Sequence, residues 1–245
     1  MKEIIGLVAV RMASRRLPKK AFRTIAGKPI LRILVDRLRT SGLDDFVVCT
    51  TTADEDKEIE SWCSSNGVRC FRGDSDNVLR RFVRCVSTNP AAYIVRITGD
   101  NPFTDFLSMR EMFVEMKQNK ADYARQVGVP LGAACEIVRT SALEELHRRA
   151  RTPELSEFMT YFFELAPFIR KQFFHVPENI RMPQLRLTID YESDVQFANA
   201  LVDHFHGRIP SLEEIVSHCV QRSDYPLVKE DAAASDEIKK KILID

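Results

Sequence analysis

The sequence predicts an α/β fold in which helices cover both faces of a mainly parallel sheet. Apolar runs of strand length alternate along the chain with segments of helical periodicity, which is the pattern of repeated βα units. The chain has 245 residues, 44% of them hydrophobic and 29% charged, so it can bury a large core. Because no internal repeat or low-complexity linker divides it, we predict a single domain over residues 1–245.

The elements of the first half follow one another regularly. Strands are predicted at residues 4–10, 46–50, 68–71 and 93–97, and helices at residues 29–41, 54–66, 76–87 and 106–119. Pro29 suits the first turn of its helix and Gly42 its C-terminal end. Asp54 is predicted to cap the second helix, and Gly67 to end it.

The pattern is less regular in the second half. Short strands are predicted at residues 122–127, 135–138 and 185–189, and helices at residues 141–150, 155–164, 194–204 and 211–221, with Asp194 as the cap of the third. The tail from Tyr225 onward is polar and charged. Residues 131–176 belong to this less regular part.

Composition argues against several classes of protein. The net charge of +1 gives no indication of a nucleic-acid or membrane-surface binder. No apolar run approaches the roughly 20 residues of a membrane span, and the first residues enter a strand pattern without a signal-peptide cleavage site, so we expect a cytoplasmic protein. The six cysteines form no C-x-x-C pair, which favours buried thiols over metal or disulfide frameworks.

Positive charge is concentrated near the N-terminus. No Asp or Glu lies between Ile4 and Val35, whereas eight cations do: Arg11, Arg15, Arg16, Lys19, Lys20, Arg23, Lys28 and Arg32. Residues 11–20 follow the first strand, where guanidinium groups, the Ser14 hydroxyl and backbone amides can bind phosphate oxygens. A solvated basic turn is the alternative, but such turns normally carry interspersed acids. We therefore predict a triphosphate-binding loop, although it lacks the Walker sequence.

Two aspartates are candidate metal ligands. Asp100 follows the apolar run 93–97, and Asp190 follows the run 185–189 in the same relation. Ligands of open α/β sheets bind beyond the carboxyl ends of the strands, and Mg²⁺ takes one or two carboxylates with water and substrate phosphates. Either aspartate alone is more often a turn or cap residue. Together with the basic loop, they predict a metal–triphosphate site.

Five stretches of the sequence form an ordered series of motifs, at residues 10–20, 27–29, 72–79, 96–102 and 185–190. In this order they resemble the patterns A-R-M-G-S-x-R-L-P-x-K, G-K-P, R-G-x-x-x-x-V-L, R-I-T-G-D-x-P and L-R-L-T-V-D of the SpsF-like branch of the cytidylyltransferases that make CMP-activated sugars. The resemblance implies a Rossmann-like fold of the nucleotide-diphospho-sugar transferase type, and a homodimer. On the same resemblance, we interpret residues 131–176 as an insert that serves dimer contact and binding of the acceptor, the molecule that receives CMP.

The same resemblance implies a role for each site residue. Asp100 and Asp190 would bind Mg²⁺, and Arg16, Lys20 and Asp100 would be catalytic. The CTP site would be formed by Val10, Arg11, Met12, Ala13, Ser14, Arg16, Lys20, Thr98 and Gly99. The acceptor is expected to be a small anion, and Glu136 and Glu157 are the candidates to contact it, although Glu136 could equally be a strand-edge acid that faces water.

The sequence also departs from the family. Ala13 replaces the loop glycine, and alanine tolerates a positive φ poorly, so we expect the loop to surround the phosphates less closely. Lys19 stands where the branch commonly has glycine. Phe158 replaces the histidine of an R-E-H-V-T stretch, which predicts an unusual acceptor.

The predicted reaction is attack of an acceptor oxygen on the α-phosphorus of CTP with release of pyrophosphate. The acceptor would be an acidic sugar, a sugar phosphate or a phosphonate used in polysaccharide or surface glycan synthesis. No general base is evident, so catalysis would be mainly electrostatic. A glycosyltransferase that uses a nucleotide-sugar and a non-catalytic nucleotide-binding protein remain the alternatives.

Overall fold

The computed structural model describes residues 2–14, 16–222, 224–228 and 232–245. Arg15, one of the eight clustered cations, lies outside them. The strands within these ranges are β1 (Lys2–Ala9), β2 (Thr24–Ile25), β3 (Lys28–Pro29), β4 (Asp45–Thr51), β5 (Cys70–Gly73), β6 (Ala91–Thr98), β7 (Tyr123–Val127), β8 (Glu136–Arg139) and β9 (Lys171–His175). The α-helices there are α1 (Ile30–Leu38), α2 (Lys57–Ser65), α3 (Val78–Thr88), α4 (Met109–Gln118), α5 (Thr140–Arg149), α6 (Met159–Leu165), α7 (Glu192–His204), α8 (Leu212–Val220) and α9 (Ala232–Lys241).

A central sheet takes the strands in the order β5-β4-β1-β6-β8-β7-β9. Strand β8 is antiparallel to both of its neighbours, and the other adjacent pairs are parallel. The predicted mainly parallel sheet is confirmed. Strands β2 and β3 form a separate hairpin.

Two apolar clusters pack on opposite faces of the sheet. One joins it to α1, α2, α4, α7 and α8, and the other joins it to α3, α5, α6 and the end of α9. Strand β1 contributes Ile4 and Val8 to the first cluster and Ile5 and Leu7 to the second, because successive side chains point to opposite faces. Its continuous apolar run is thus the pattern of a strand covered on both faces.

The cysteines are free, as the sequence predicts. Five of them are buried and Cys70 is partly exposed. In the described parts of the chain, no helix has both the length and the apolar character needed to cross a bilayer.

Some helix ends are where the sequence predicts them. Pro29 immediately precedes α1, but that helix ends at Leu38 with Arg39 as its C-cap, so the predicted end at Gly42, whose φ is 80°, is wrong. Ser211 caps α8: its hydroxyl accepts from Glu214 N–H at 3.2 Å, and the Glu214 carboxylate accepts from Ser211 N–H at 2.8 Å. Each side chain satisfies an amide of the first turn that has no partner within the helix.

Two predicted caps are wrong. Asp54 lies in a short 3-10 turn before α2, where its side chain pairs with Lys57 instead of capping. Asp194 lies in the first turn of α7, two residues inside it. Its carboxylate reaches back to accept from the N–H groups of Asp190 and Tyr191.

The predicted strand at residues 185–189 is also wrong. This segment is extended, but it forms only isolated bridges, Leu131 with Arg186 and Leu185 with Leu227. Its amides bond to loops instead of a sheet edge, with Leu187 N–H donating to Leu131 O at 2.7 Å. Conversely, β9 and α9 were not predicted. Only one of the five residues of β9 is buried, so apolar and polar side chains do not alternate along it as they do in a half-buried strand.

We predict that Ser211→Ala lowers the free energy of unfolding by about 1 kcal/mol, because it leaves an amide of α8 without its cap. The matched control is Ser217→Ala at an exposed position inside the same helix, which should change that free energy by no more than about 0.5 kcal/mol. Urea denaturation measures both. Equal losses in the two variants would contradict the capping role.

Candidate active site

The basic loop leaves the carboxyl end of β1, the strand that lies between β4 and β6. Val10 N–H donates to Cys49 O of β4 at 3.3 Å, and Gly99 N–H donates to Ala9 O of β1 at 2.8 Å. A Cβ on Gly99 would lie 2.7 Å from the Cβ of Val10, so the loop after β6 can pass this close only without a side chain. Val10, Thr98 and Gly99 therefore lie together where the loops after β1 and β6 begin.

The buried carboxylate of Asp56 anchors the basic loop. It accepts from Met12 N–H at 2.7 Å and from Thr51 N–H at 2.9 Å, and the Thr51 hydroxyl also donates to it. Asp56 has no exposed surface. It thus joins the loop to the end of β4. The sequence gives little sign of this role, since Asp56 is the third acid of the exposed-looking run Asp-Glu-Asp.

The backbone of the loop differs from the expectation at Ala13. Among the described residues of the loop, the positive φ belongs to Lys19, at 53°, so Ala13 does not have the positive φ on which the expectation of a looser loop depends. Lys19 adopts the left-handed conformation at the position where the family commonly has glycine, and its ammonium pairs with Glu58 at 2.8 Å. The Ser14 hydroxyl accepts from Leu17 N–H at 3.3 Å, which leaves its proton free to donate.

Lys20 joins the two predicted metal ligands. Its Nζ lies 2.6 Å from Asp100 Oδ2 and 2.9 Å from Asp190 Oδ1. All three side chains are at least three-quarters buried. The fold therefore brings together an ammonium and two carboxylates that are separated by 80 and 170 residues along the chain.

Asp190 has further cationic partners. Arg16 Nη2 lies 2.9 Å from its Oδ1, and Arg186 Nη2 lies 2.8 Å from its Oδ2. The ring of Tyr191 lies near both guanidinium groups, 5.3 Å from that of Arg16 and 5.6 Å from that of Arg186. The sequence motif contained Arg186 but did not indicate this contact.

These contacts keep Asp190 and Lys20 ionised. Burial favours the protonated form of Asp190, but hydrogen bonds from Lys20 and Arg186 outweigh it and lower the pKa of the carboxyl group. Burial likewise favours the neutral form of Lys20, and the two aspartates outweigh it and raise the pKa of the ammonium. Both groups therefore remain charged at neutral pH.

The segment before Asp190 is held against the loop that contains Gly132. Thr188 N–H donates to Leu131 O at 3.1 Å, and Ile189 N–H donates to Asp100 O at 3.0 Å. The second bond joins the backbones of the two segments that carry the predicted metal ligands Asp100 and Asp190. Gly132 has a φ of 93°, and a Cβ there would lie 2.5 Å from Thr188 N.

The two candidate acceptor residues differ in position. Glu157 is exposed and pairs with Arg11 across 3.2 Å, so it lies at the rim of the basic loop. Glu136 is buried, with Arg96 Nη1 at 2.9 Å and the Thr160 hydroxyl at 2.6 Å. The alternative of a strand-edge acid facing water is therefore wrong for Glu136.

The donor set at Asp100 and Asp190 fits Mg²⁺. One cationic atom, Lys20 Nζ, already lies within hydrogen-bond distance of both carboxylates, so a single ion can contact both. No group of three or more His, Cys, Asp or Glu residues suited to a metal occurs in the part of the chain that the structure describes. Two carboxylates completed by water and phosphate oxygens are the set that Mg²⁺ commonly takes.

Comparison with known proteins gives a consistent family. A sequence profile described as Cytidylyltransferase matches residues 5–231. The spore coat polysaccharide biosynthesis protein SpsF of Bacillus subtilis is 35% identical over 208 residues, which cover 82% of this chain and 87% of that protein. The 3-deoxy-manno-octulosonate cytidylyltransferase of Yersinia pseudotuberculosis is 28% identical over 57% of this chain and 56% of its own.

Solved structures share the fold. A cytidylyltransferase from Leptospira borgpetersenii aligns over the whole of both chains with a TM-score of 0.78 and 24% identity. A CMP:2-keto-3-deoxy-manno-octonic acid synthetase complexed with CTP has a TM-score of 0.64 at 16% identity, over 83% of this chain and 99% of that one. The Rossmann-like nucleotidyltransferase fold expected from the sequence is confirmed.

We predict that Gly132→Ala displaces Thr188 and destabilises the protein more than Gly67→Ala does. Both glycines have a positive φ, but a Cβ on Gly67 meets nothing within 4 Å. The control variant should lose about 1 kcal/mol through backbone strain, and Gly132→Ala should lose roughly 1–3 kcal/mol more through the collision. Chemical denaturation compares them, and equal losses would show that the contact with Thr188 has no structural importance.

Proposed function

This chain belongs to the cytidylyltransferase family, and on that premise we propose that it transfers CMP from CTP to a small anionic acceptor in the synthesis of a polysaccharide or surface glycan. The observation that carries the proposal is the contact of Lys20 with both Asp100 and Asp190. This contact supports the proposal because it brings together, at the carboxyl edge of the sheet, a lysine that can bind phosphate and two carboxylates that can bind a metal. The names of the two curated relatives support the glycan context.

The basic loop would bind the triphosphate. The side chains of Arg11, Ser14, Arg16 and Lys20 can contact phosphate oxygens, and the backbone from Val10 to Ala13 can supply amides. Thr98 and Gly99 lie at the end of β6 beside this loop. An arriving triphosphate offers Lys20 and Arg16 oxygens that can replace those of Asp190.

Asp100 and Asp190 would hold Mg²⁺ in the working complex. Bound there, the ion would neutralise charge on the phosphates and orient them for displacement. Lys20 and Arg16 would stabilise the charge that develops on the pyrophosphate as its bond to the α-phosphorus breaks. This division gives Arg16, Lys20 and Asp100 their catalytic roles.

The acceptor oxygen would attack the α-phosphorus opposite the departing pyrophosphate. Glu157, at the rim of the basic loop, and Glu136, in a buried network with Arg96, are the residues that we expect to contact the acceptor. Phe158 stacks on Tyr161, with ring centroids 6.3 Å apart, so no imidazole is available at this position to take a proton. We favour a phosphate or phosphonate oxygen as the nucleophile, because an anion needs no general base.

We further propose that the protein is cytoplasmic and forms a homodimer through residues 131–176. Strand β9 is an edge strand of the central sheet, and Phe173 on it is 45% exposed. Leu165, at the end of α6 in the same region, is 43% exposed. An open edge with exposed apolar side chains is a surface suited to pairing with another chain.

Pyrophosphate release tests the reaction. The protein is incubated with each NTP, Mg²⁺ and a panel of sugar acids, sugar phosphates and phosphonates. We expect release with CTP and a drop in kcat of about 100-fold in Asp100→Ala, whereas Asp76→Ala at an exposed position should retain the wild-type rate. Nucleotide binding without release under any combination would favour a non-catalytic protein. Turnover of a nucleotide-sugar instead would favour a glycosyltransferase.

Light scattering after size exclusion tests the dimer. We expect twice the mass of one chain for the wild type and the mass of a monomer for Phe173→Glu, because a buried unpaired carboxylate destabilises an interface. Val220→Glu is the control, since Val220 is 65% exposed on α8 outside the proposed surface. A monomeric wild type, or a Phe173→Glu variant that remains a dimer, would contradict the proposed interface.

A further inference from the structure

The cations around Asp190 contact different oxygens of its carboxylate. Lys20 Nζ and Arg16 Nη2 both lie 2.9 Å from Oδ1, on the side shared with Asp100. Arg186 Nη2 lies 2.8 Å from Oδ2. The two oxygens therefore have separate sets of partners.

Arg186 is fixed in place by Asp194. Its Nε and Nη2 each lie 3.2 Å from an oxygen of that carboxylate, and its side chain is only 16% exposed. Asp194 also accepts from the backbone N–H of Asp190 at 2.8 Å and from that of Tyr191 at 2.9 Å. The same Arg–Asp pair thus restrains the backbone of residue 190 and one oxygen of its side chain.

Lys20 has a different arrangement. Its single ammonium ends a flexible chain and touches both carboxylates, and its described contacts include no acidic partner beyond these two that would hold it there. It lies where one divalent ion would contact Asp100 and Asp190 together. Arg16 is 55% exposed, so it too can move toward an incoming phosphate.

We propose that Arg186 is a positioning residue for the metal site and that Lys20 occupies the place of the metal until nucleotide binds. Arg186 engages Oδ2 of Asp190 and so directs Oδ1 toward Asp100. When a triphosphate binds, the Lys20 ammonium leaves Asp190 and contacts the phosphate oxygens instead. Asp190 Oδ1 is then free to contact the metal ion. The inference rests on the proposed function, which assigns the metal to Asp100 and Asp190.

The direction in which a substitution changes the affinity for a divalent cation distinguishes this arrangement from an effect of charge alone. Removing any nearby positive charge should tighten the binding of a divalent cation. Loss of Arg186 should instead weaken it, because Asp190 loses the bond that orients it. Loss of Lys20 should tighten it, because the competing ammonium is gone. Arg186 and Lys20 contact the same carboxylate, yet their removal is expected to change the affinity for the divalent cation in opposite directions.

Mn²⁺ binding, followed by the EPR signal of the free ion, measures this without turnover. The variants are Lys20→Met, Arg186→Met and Arg186→Lys, each with and without a CTP analogue that cannot release pyrophosphate. Lys19→Met is the matched control, since it removes a neighbouring lysine that pairs with Glu58. Thermal unfolding of each variant verifies the fold.

We expect Lys20→Met to lower the Kd for Mn²⁺ roughly tenfold in the nucleotide-free protein. Arg186→Met should raise the Kd about 10- to 100-fold with the analogue bound, and Arg186→Lys should fall between it and the wild type. Lys19→Met should stay within about twofold, because an exposed charge is screened. If Arg186→Met does not fold, the Kd of Arg186→Lys for Mn²⁺ is compared with that of the wild type, and this comparison tests the positioning role.

Binding of Mn²⁺ to Arg186→Met, or to Arg186→Lys in its place, as tightly as to the wild type would overturn the positioning role. A Lys20→Met variant that matches Lys19→Met would overturn the role of Lys20 in the place of the metal. Either result leaves the proposed function intact. Failure of the wild type to bind Mn²⁺ even with the analogue would overturn the metal assignment itself, and this inference with it.

Discussion

The two ion pairs of Lys20 with Asp100 and Asp190 are the interaction on which the rest of the site depends. Two largely buried carboxylates that share one ammonium would repel one another without a cation between them. In this chain the cation comes from the loop after β1, so the charge balance of the site couples three distant segments. In the proposed reaction, a triphosphate and a divalent ion would replace these contacts as a pair, because one carries the negative charge and the other the positive.

The architecture makes that charge balance possible. Strands β1 and β6 are adjacent and parallel, so the loops with Lys20 and Asp100 leave the same edge of the sheet. Asp190 belongs to no strand of the sheet and is placed by backbone bonds, through Ile189 to Asp100 and through Thr188 to Leu131. Asp56 fixes the start of the basic loop and Asp194 fixes Arg186. The ion-pair geometry is thus held by buried acids that do not themselves contact Lys20.

Sequence patterns predicted what depends on local periodicity and failed where long-range packing decides. The apolar runs of β1, β4 and β6 were recognisable because parallel strands are buried on both faces. Residues 185–189 carry the same pattern, yet they are buried against loops, so burial alone did not make them a strand. Lys20, Asp100 and Asp190 were predicted from their motifs. The roles of Asp56 and Arg186 were not, because they consist of contacts with residues 44 and 8 positions away.

A diffraction experiment tests the shared site most directly. Crystals of the protein would be grown with Mn²⁺ and a CTP analogue that cannot release pyrophosphate, and the anomalous signal of manganese would locate the ion. The account predicts one manganese peak in contact with both Asp100 and Asp190, with Lys20 moved onto the triphosphate. A nucleotide bound away from residues 11–20, or Lys20 still bridging the two aspartates beneath a bound triphosphate, would contradict it.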